Sequence, residues 1–274
     1  MTTAVWRPVA SFMVLLLGGA PWSSAATSDV PLRSDLDQAL ADFDQAQQIQ
    51  ADHPERARQL FRAAAQRFQS IAAAGVTNGR LEFNTGNAYL QAGQLGRAVL
   101  HYLRAHRLMP GDDMLAENLA LARSQCLTII QPTGGGTLLR SVFFWHHGIS
   151  RAARIRAAII LYVGVWVLLT LRNFLRSPGL TRAAVAFGAL SVILAASVAM
   201  DSWSDRHAPA GVVLAMDVEV RKGPSTGYQR QFEQPLQPGV EFTLRERRGN
   251  WWKIELADGQ SGWIDAAHAE LVAR

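Results

Sequence analysis

From Ser34 to Gln125 apolar residues recur every three or four positions in a background of Ala, Leu, Arg and Gln. That spacing predicts a string of amphipathic helices. Ser34 reads as the cap of a first helix of about 16 residues opening at Asp35. His53-Pro54-Glu55 opens a second, which runs to Ala74 and stops at Gly75. Further on, Asp112 caps a helix through Met114, Leu115, Leu119 and Leu121, for about five helices in all. The pattern breaks at Gln131-Pro132-Thr133-Gly134-Gly135-Gly136, a linker. Two uncharged runs follow, 15 residues from Ala157 to Leu171 and 18 from Ala183 to Met200. Both predict membrane-spanning helices, the first lengthened by Arg156 and Arg172 reaching toward the headgroups. The tail then switches to a period of two. Val212–Leu214, Val218–Arg221, Phe242–Glu246, Trp251–Leu256 and Ser261–Ile264, separated by Gly, Pro and Asn, predict five short strands and a small barrel.

Ahead of the helices, Arg7, the apolar run Phe12-Met13-Val14-Leu15-Leu16-Leu17 and the small residues Ser23-Ser24-Ala25-Ala26 form a secretory signal with cleavage expected after Ala26. The division is therefore a signal at 1–26, a helical domain at 27–130, a linker and interfacial segment at 131–156, a span at 157–171, a loop at 172–182, a second span at 183–200 and the barrel at 208–274. Phe143-Phe144-Trp145-His146-His147 with Arg151, Arg154 and Arg156 supplies the interfacial character. Export places the helices outside the cytoplasm and the loop carrying Arg172, Arg176 and Arg182 inside, as positive charge prefers. Two crossings return the barrel to the helices' side, the periplasm of a bacterial inner membrane; Arg151, Arg154 and Arg156 at the outer end run against the charge rule.

Composition narrows the chemistry. Apolar residues make up 49% and charged residues 18% of the chain, consistent with part of it lying in lipid. The net charge is +5, but 25 of the 27 cations are Arg spread along the chain, without the dense basic block that nucleic acid favours. Cys126 is the only cysteine, so no intramolecular disulfide and no thiolate zinc site can form from this chain. His146-His147 lacks a third ligand at metal spacing. No Ser-His-Asp, Cys-His or paired-carboxylate arrangement stands out, and Gly134-Gly135-Gly136 lacks the Lys and Ser/Thr of a phosphate loop. No catalysis, metal or cofactor is expected.

Between Gly79 and Asp112 small and aromatic residues fall in a fixed order: Gly86, Tyr89, Gly93, Ala98, Tyr102, Ala105 and Pro110. These offsets resemble a tetratricopeptide repeat, in which small residues let two antiparallel helices approach, aromatics fill beside them and proline ends the second. Glu82 and Thr85 depart from it, standing where a large apolar residue and Leu are usual. A lone repeat cannot bury its apolar face, and Ala64 and Phe68 echo Ala98 and Tyr102 one repeat earlier. The resemblance implies peptide contact at Asn87, and Asn84 joins it as a candidate because an amide both donates and accepts; a structural hydrogen bond is the competing role for each.

In the tail, Val220-Arg221-Lys222-Gly223-Pro224-Ser225, Gly239, Arg248-Gly249-Asn250-Trp251-Trp252-Lys253-Ile254 and Gly259-Gln260-Ser261-Gly262-Trp263-Ile264 resemble a bacterial SH3 domain. Trp252 and Trp263 are candidates for core or for ligand stacking, and Trp251 has the opposite strand parity to Trp252. The fold class is multidomain α plus β: an α-helical tetratricopeptide array, two transmembrane helices and an SH3-like small β-barrel.

The order of parts resembles the BatE family of the bacterial aerotolerance (Bat) system, most locally at Asn84-Thr85-Gly86-Asn87-Ala88-Tyr89 and Asn118-Leu119-Ala120. That resemblance implies membrane-anchored von Willebrand A proteins and a MoxR-type ATPase as partners, in envelope stress tolerance. Two functions compete. One is a scaffold gripping a partner protein through the repeats at Asn84 and Asn87. The other is a cell-wall sensor whose barrel binds peptidoglycan through Tyr228, Trp251 and Trp252.

Overall fold

The computed structural model describes residues 29–126, 148–175 and 177–273. The expected signal, the glycine linker and the Phe143–His147 cluster lie outside these residues. Five helices open the described chain: α1 (Asp29–Ile49), α2 (Pro54–Ala73), α3 (Gly79–Gln91), α4 (Leu95–Leu108) and α5 (Asp113–Ser124). Local chemistry sets most of their ends. Pro54 opens α2, Gly75 follows its end at φ +97°, the Asn78 side chain accepts from Arg80 N–H, and Asp112 accepts from Leu115 N–H. α1 begins at Asp29, before the cap expected at Ser34, which lies inside the helix. Pro31 falls in its first turn, where a missing N–H costs nothing.

Successive helices pack on one another around Phe68, Tyr89, Leu100, Tyr102 and Leu115, all at or below 1% exposure. Gly86 lies under the Tyr102 ring, where an added Cβ would come within 2.6 Å of it. Both departures from the repeat pattern have partners here. Glu82, buried, meets His101 Nδ1 at 2.7 Å, and His101 stacks on Tyr89 at 5.4 Å between ring centres. Thr85 Oγ1 donates to the Leu81 carbonyl at 2.7 Å.

Two helices long and apolar enough to cross a membrane follow, α6 (Arg151–Leu175) and α7 (Pro178–His207). They pair along their length, with Gly164 against the Phe187 ring and Ser191 Oγ donating to the Ala158 carbonyl at 2.9 Å. α6 starts inside the stretch expected as linker, so Arg151, Arg154 and Arg156 form its first turns. Arg154, read from the sequence as part of an interfacial segment, is 4% exposed and bonds Ser197 and Asp201 of α7. At the same end Arg107 of α4 and Arg151 converge on Asp205, tying the helical domain to the hairpin.

The tail forms one antiparallel sheet in the order β4-β3-β2-β1-β5, from β1 (Ala210–Val213), β2 (Glu241–Arg248), β3 (Trp251–Leu256), β4 (Ser261–Asp265) and β5 (Ala269–Leu271). The strand expected at Val218–Arg221 is replaced by isolated bridges, Val218 to Leu236 and Arg221 to Arg230 and Trp263. Its inward residues Val218 and Val220 are nevertheless core, which is what their alternation reported. β5 was not expected, because Ala-Glu-Leu carries no strand signature.

Barrel and helices share a core. Val212 of β1 and Val272 after β5 are buried with the helical residues. Arg104 of α4, 6% exposed, donates from Nε to the Val272 carbonyl (3.2 Å) and from Nη2 to the Leu271 carbonyl (2.8 Å) and Glu270 (2.7 Å). Arg123 of α5 pairs bidentately with Glu241 at 2.6 and 3.0 Å. Cys126 sits in this seam, where a Cβ at Gly239 would come within 2.5 Å of its sulfur. Burial, with the Glu241 charge second, pushes the thiol above its ordinary value, so it is a neutral packing group at neutral pH.

Candidate functional site

A cavity of roughly 280 Å3 opens between α1, α3 and α5, lined by Phe43, Gln47, Asn87, Leu90, Gln91, Tyr102, Asn118 and Leu121. Its chemistry is uniform. Four amides and four apolar or aromatic residues surround it, and none of the eight carries a charge. The helical repeat produces the lining, because Asn87 and Gln91, like Phe43 and Gln47, are four residues apart and share a face.

Asn87 is held in one orientation. Its Oδ1 accepts from the Tyr102 hydroxyl at 2.7 Å and from Asn118 Nδ2 at 3.1 Å, which uses both acceptor positions of the amide oxygen. Its NH2 group bonds no described protein atom and is left to donate. Burial pushes the Tyr102 phenol far above its ordinary value, so that hydroxyl stays protonated and keeps donating. The oxygen of Asn87 thus makes the structural hydrogen bonds weighed from the sequence, and its nitrogen has no partner among the described residues. Asn84, one turn earlier, is half-buried and does not line the cavity.

Of the repeat-signature residues, Tyr102 lines the groove. Tyr89, Ala98, Tyr102 and Ala105 are buried, Gly93 turns the chain at φ +73°, and Pro110 follows the end of α4. Gln47, Gln91 and Asn118 were not singled out as contact residues. Only their positions relative to Asn87 on neighbouring helices carried that signal, and this needs the helix pairing to be known.

The barrel candidates sit in different surroundings. Trp252 packs against the barrel core, its ring centre 6.4 Å from Phe242 and the Arg247 guanidinium 5.5 Å away. Trp251, half-buried, has the opposite parity on β3 and pairs with Arg248 and Asp265. Tyr228 is 51% exposed and covers Gly223, in a turn that Arg221 holds by donating to the Thr226 and Tyr228 carbonyls at 2.6 and 2.8 Å. Trp263 is buried beneath Arg248, 5.3 Å from its guanidinium. Trp251 and Trp252, two of the three residues expected to form a ligand surface with Tyr228, thus have opposite parity on β3.

Residues 215–268 match the bacterial SH3 domain family. No curated protein and no solved structure matches the chain. The matched stretch of the SH3 domain stops short of β1 and β5, the two strands that pair with each other and dock on α4. A second, shallow cleft of roughly 620 Å3 lies beside that seam, lined by Gln66, Gln69, Ser70, Ala72, Ala73 and Glu270.

Proposed function

We propose that the chain is a non-catalytic scaffold anchored in a bacterial inner membrane by the α6–α7 hairpin, gripping an extended, uncharged segment of a partner protein in the groove between α1, α3 and α5. The observation that carries this reading is Asn87, whose NH2 group is fixed in a cavity without charge. A peptide backbone supplies the carbonyl that such a group needs, while flanking apolar side chains meet Phe43, Leu90 and Leu121. The helical domain then acts as a tetratricopeptide-type array. In lipid, the outward apolar side chains of α6 and α7, Ile160 at 70% and Val192 at 68% exposure among them, lose contact with water. Arg172 and Arg182 lie at the loop end, which favours a cytoplasmic loop and both soluble parts outside. Bacterial SH3 domains typically stand outside the cytoplasm, in agreement. The order of parts resembles that of the Bat system, so membrane-anchored von Willebrand A proteins and a MoxR-type ATPase system are the partners to test first.

A photoreactive residue at Leu121, which lines the cavity and is 50% exposed, should crosslink in intact cells to one such membrane protein. Adding Gln91→Glu, which puts a negative charge on the exposed rim of a neutral groove, is expected to cut that adduct several-fold. An adduct of undiminished yield would mean that the groove is not the contact.

The second reading, a cell-wall sensor, rests on Trp251 and Tyr228 at the SH3 surface. Retention of the full solubilised chain on purified peptidoglycan, lost on Trp251→Ala, would establish it; absence of retention leaves the scaffold. The full chain is required, because the SH3 domain buries Val212 and Val272 among the helices.

A further inference from the structure

We infer that the α6–α7 hairpin is a self-association surface, and that a second copy of this chain covers the outer face of α6 at Tyr162 and Trp166 within the bilayer. The inference rests on the membrane reading above. At ~1.5 Å of rise per residue, Tyr162 lies roughly 12 Å from the Arg154 level and about 15 Å from the Arg172 level. Trp166 lies about 18 and 9 Å from the same levels. Both positions lie within about 3 Å of the middle of the 157–171 span, whereas tyrosine and tryptophan ordinarily collect at the headgroups. Each is 57% exposed, on the side of α6 turned away from α7, and their rings meet edge to face at 6.3 Å.

Other polar side chains between those levels are bonded inside the hairpin. Thr170 Oγ1 donates to the Trp166 carbonyl at 2.8 Å, Ser191 Oγ to the Ala158 carbonyl at 2.9 Å, and Ser197 accepts from Arg154. The Tyr162 hydroxyl and the Trp166 indole N–H bond no described residue. Lipid tails offer no acceptor, so both groups would be left desolvated and unpaired if lipid covered this face.

Their chemistry selects the occupant. Trp166 can only donate, while the Tyr162 oxygen both donates and accepts. In two copies related by a two-fold axis along the membrane normal, Trp166 of each stands about 6 Å along the helix from the level of Tyr162 of the other, a gap an indole ring can span. The two hydroxyls can also bond across the axis, so one surface supplies both halves of the match. Ile159, Val163 and Val167, exposed on the same stripe, complete an apolar seam.

A photoreactive residue at Val163, on this stripe, and a control at Val185, 67% exposed on α7, test the inference in cells producing the full chain. The expected result is a doubled-mass adduct at position 163 and none at 185. Trp166→Phe, which keeps the ring and removes the donor, should lower that adduct about threefold, in line with the modest worth of one hydrogen bond in a bilayer. A chain that stays in carbonate-washed membranes yet gives no doubled-mass adduct at 163, an adduct indifferent to Trp166→Phe, or an adduct only to another protein would overturn it. Release of the chain by the carbonate wash would instead remove the membrane reading itself, and this inference with it.

Discussion

Gly96→Val should lift the SH3 domain off the helices while leaving the helices folded. Gly96 is buried on α4 where that helix crosses the end of β1. A Cβ there would come within 2.6 Å of the Val213 carbonyl oxygen and 3.2 Å of Gly239 N. Those two atoms are themselves hydrogen-bonded to each other at 2.9 Å, so the obstacle is backbone already engaged in the barrel and has no rotamer to adopt. Relief requires β1 to move, and with it Val212, which fills part of the helical core. The Arg104 bonds to Leu271 and Val272 depend on the same registry, because β1 and β5 are paired. A cost of about 3 kcal/mol is expected for overpacking of this kind, concentrated at the seam. Hydrogen exchange on the detergent-solubilised chain should show β1 and β5 amides losing protection while α2 and α3 keep theirs. Gly93→Ala is the control: its positive φ is strained, but nothing lies within 4 Å, so the seam should stay closed. Equal protection of β1 and β5 in Gly96→Val and the parent chain would show that the two units are merely adjacent.

This seam is also where the sequence was least legible. Helices α2 to α5 announce themselves through 3.6-residue periodicity and caps such as Pro54 and Asp112, all of which are local signals. The two apolar runs are equally local, and α6 and α7 contain both of them. What joins the units is not. Arg104 carries no mark in the sequence that sets it apart from the other arginines, and it is a buried donor because β5, a three-residue strand without β-branched residues, comes back beside it. Glu82 looked like a defect in the repeat until His101, 19 residues away, provided its partner at 2.7 Å. In the candidate groove Asn87 was legible as a position, since it belongs to a spaced pattern. Its fixed orientation was not, because the Tyr102 and Asn118 that set it arrive from two other helices. On the barrel, parity separated Trp251 from Trp252, because alternation along a strand is a local signal.

Tyr102 allows the groove and the fold to be separated by two substitutions at one position. Tyr102→Ala should destabilise the helical domain by about 4 kcal/mol, the usual range for truncating a fully buried aromatic. The ring is wholly buried, lies over Gly86 and packs at 5.9 Å from Phe83. With Gly86 also lacking a side chain, neither helix can fill the cavity, and protease resistance of the α3–α4 pair should be lost first. Tyr102→Phe keeps that packing and removes only the hydroxyl that donates to Asn87 Oδ1. Its stability cost should be about 1 kcal/mol, the net value of one intramolecular hydrogen bond. Asn87 then keeps a single restraint, the 3.1 Å bond from Asn118, and its amide is free to turn and offer either end to the groove. Partner capture from Leu121 should accordingly fall several-fold in Tyr102→Phe at temperatures where the domain is fully folded, through lost preorganisation. If capture instead tracks stability alone, unchanged in Phe and lost only in Ala, the orientation of Asn87 contributes nothing to recognition, and Tyr102 is a core residue whose hydroxyl faces the groove without acting in it.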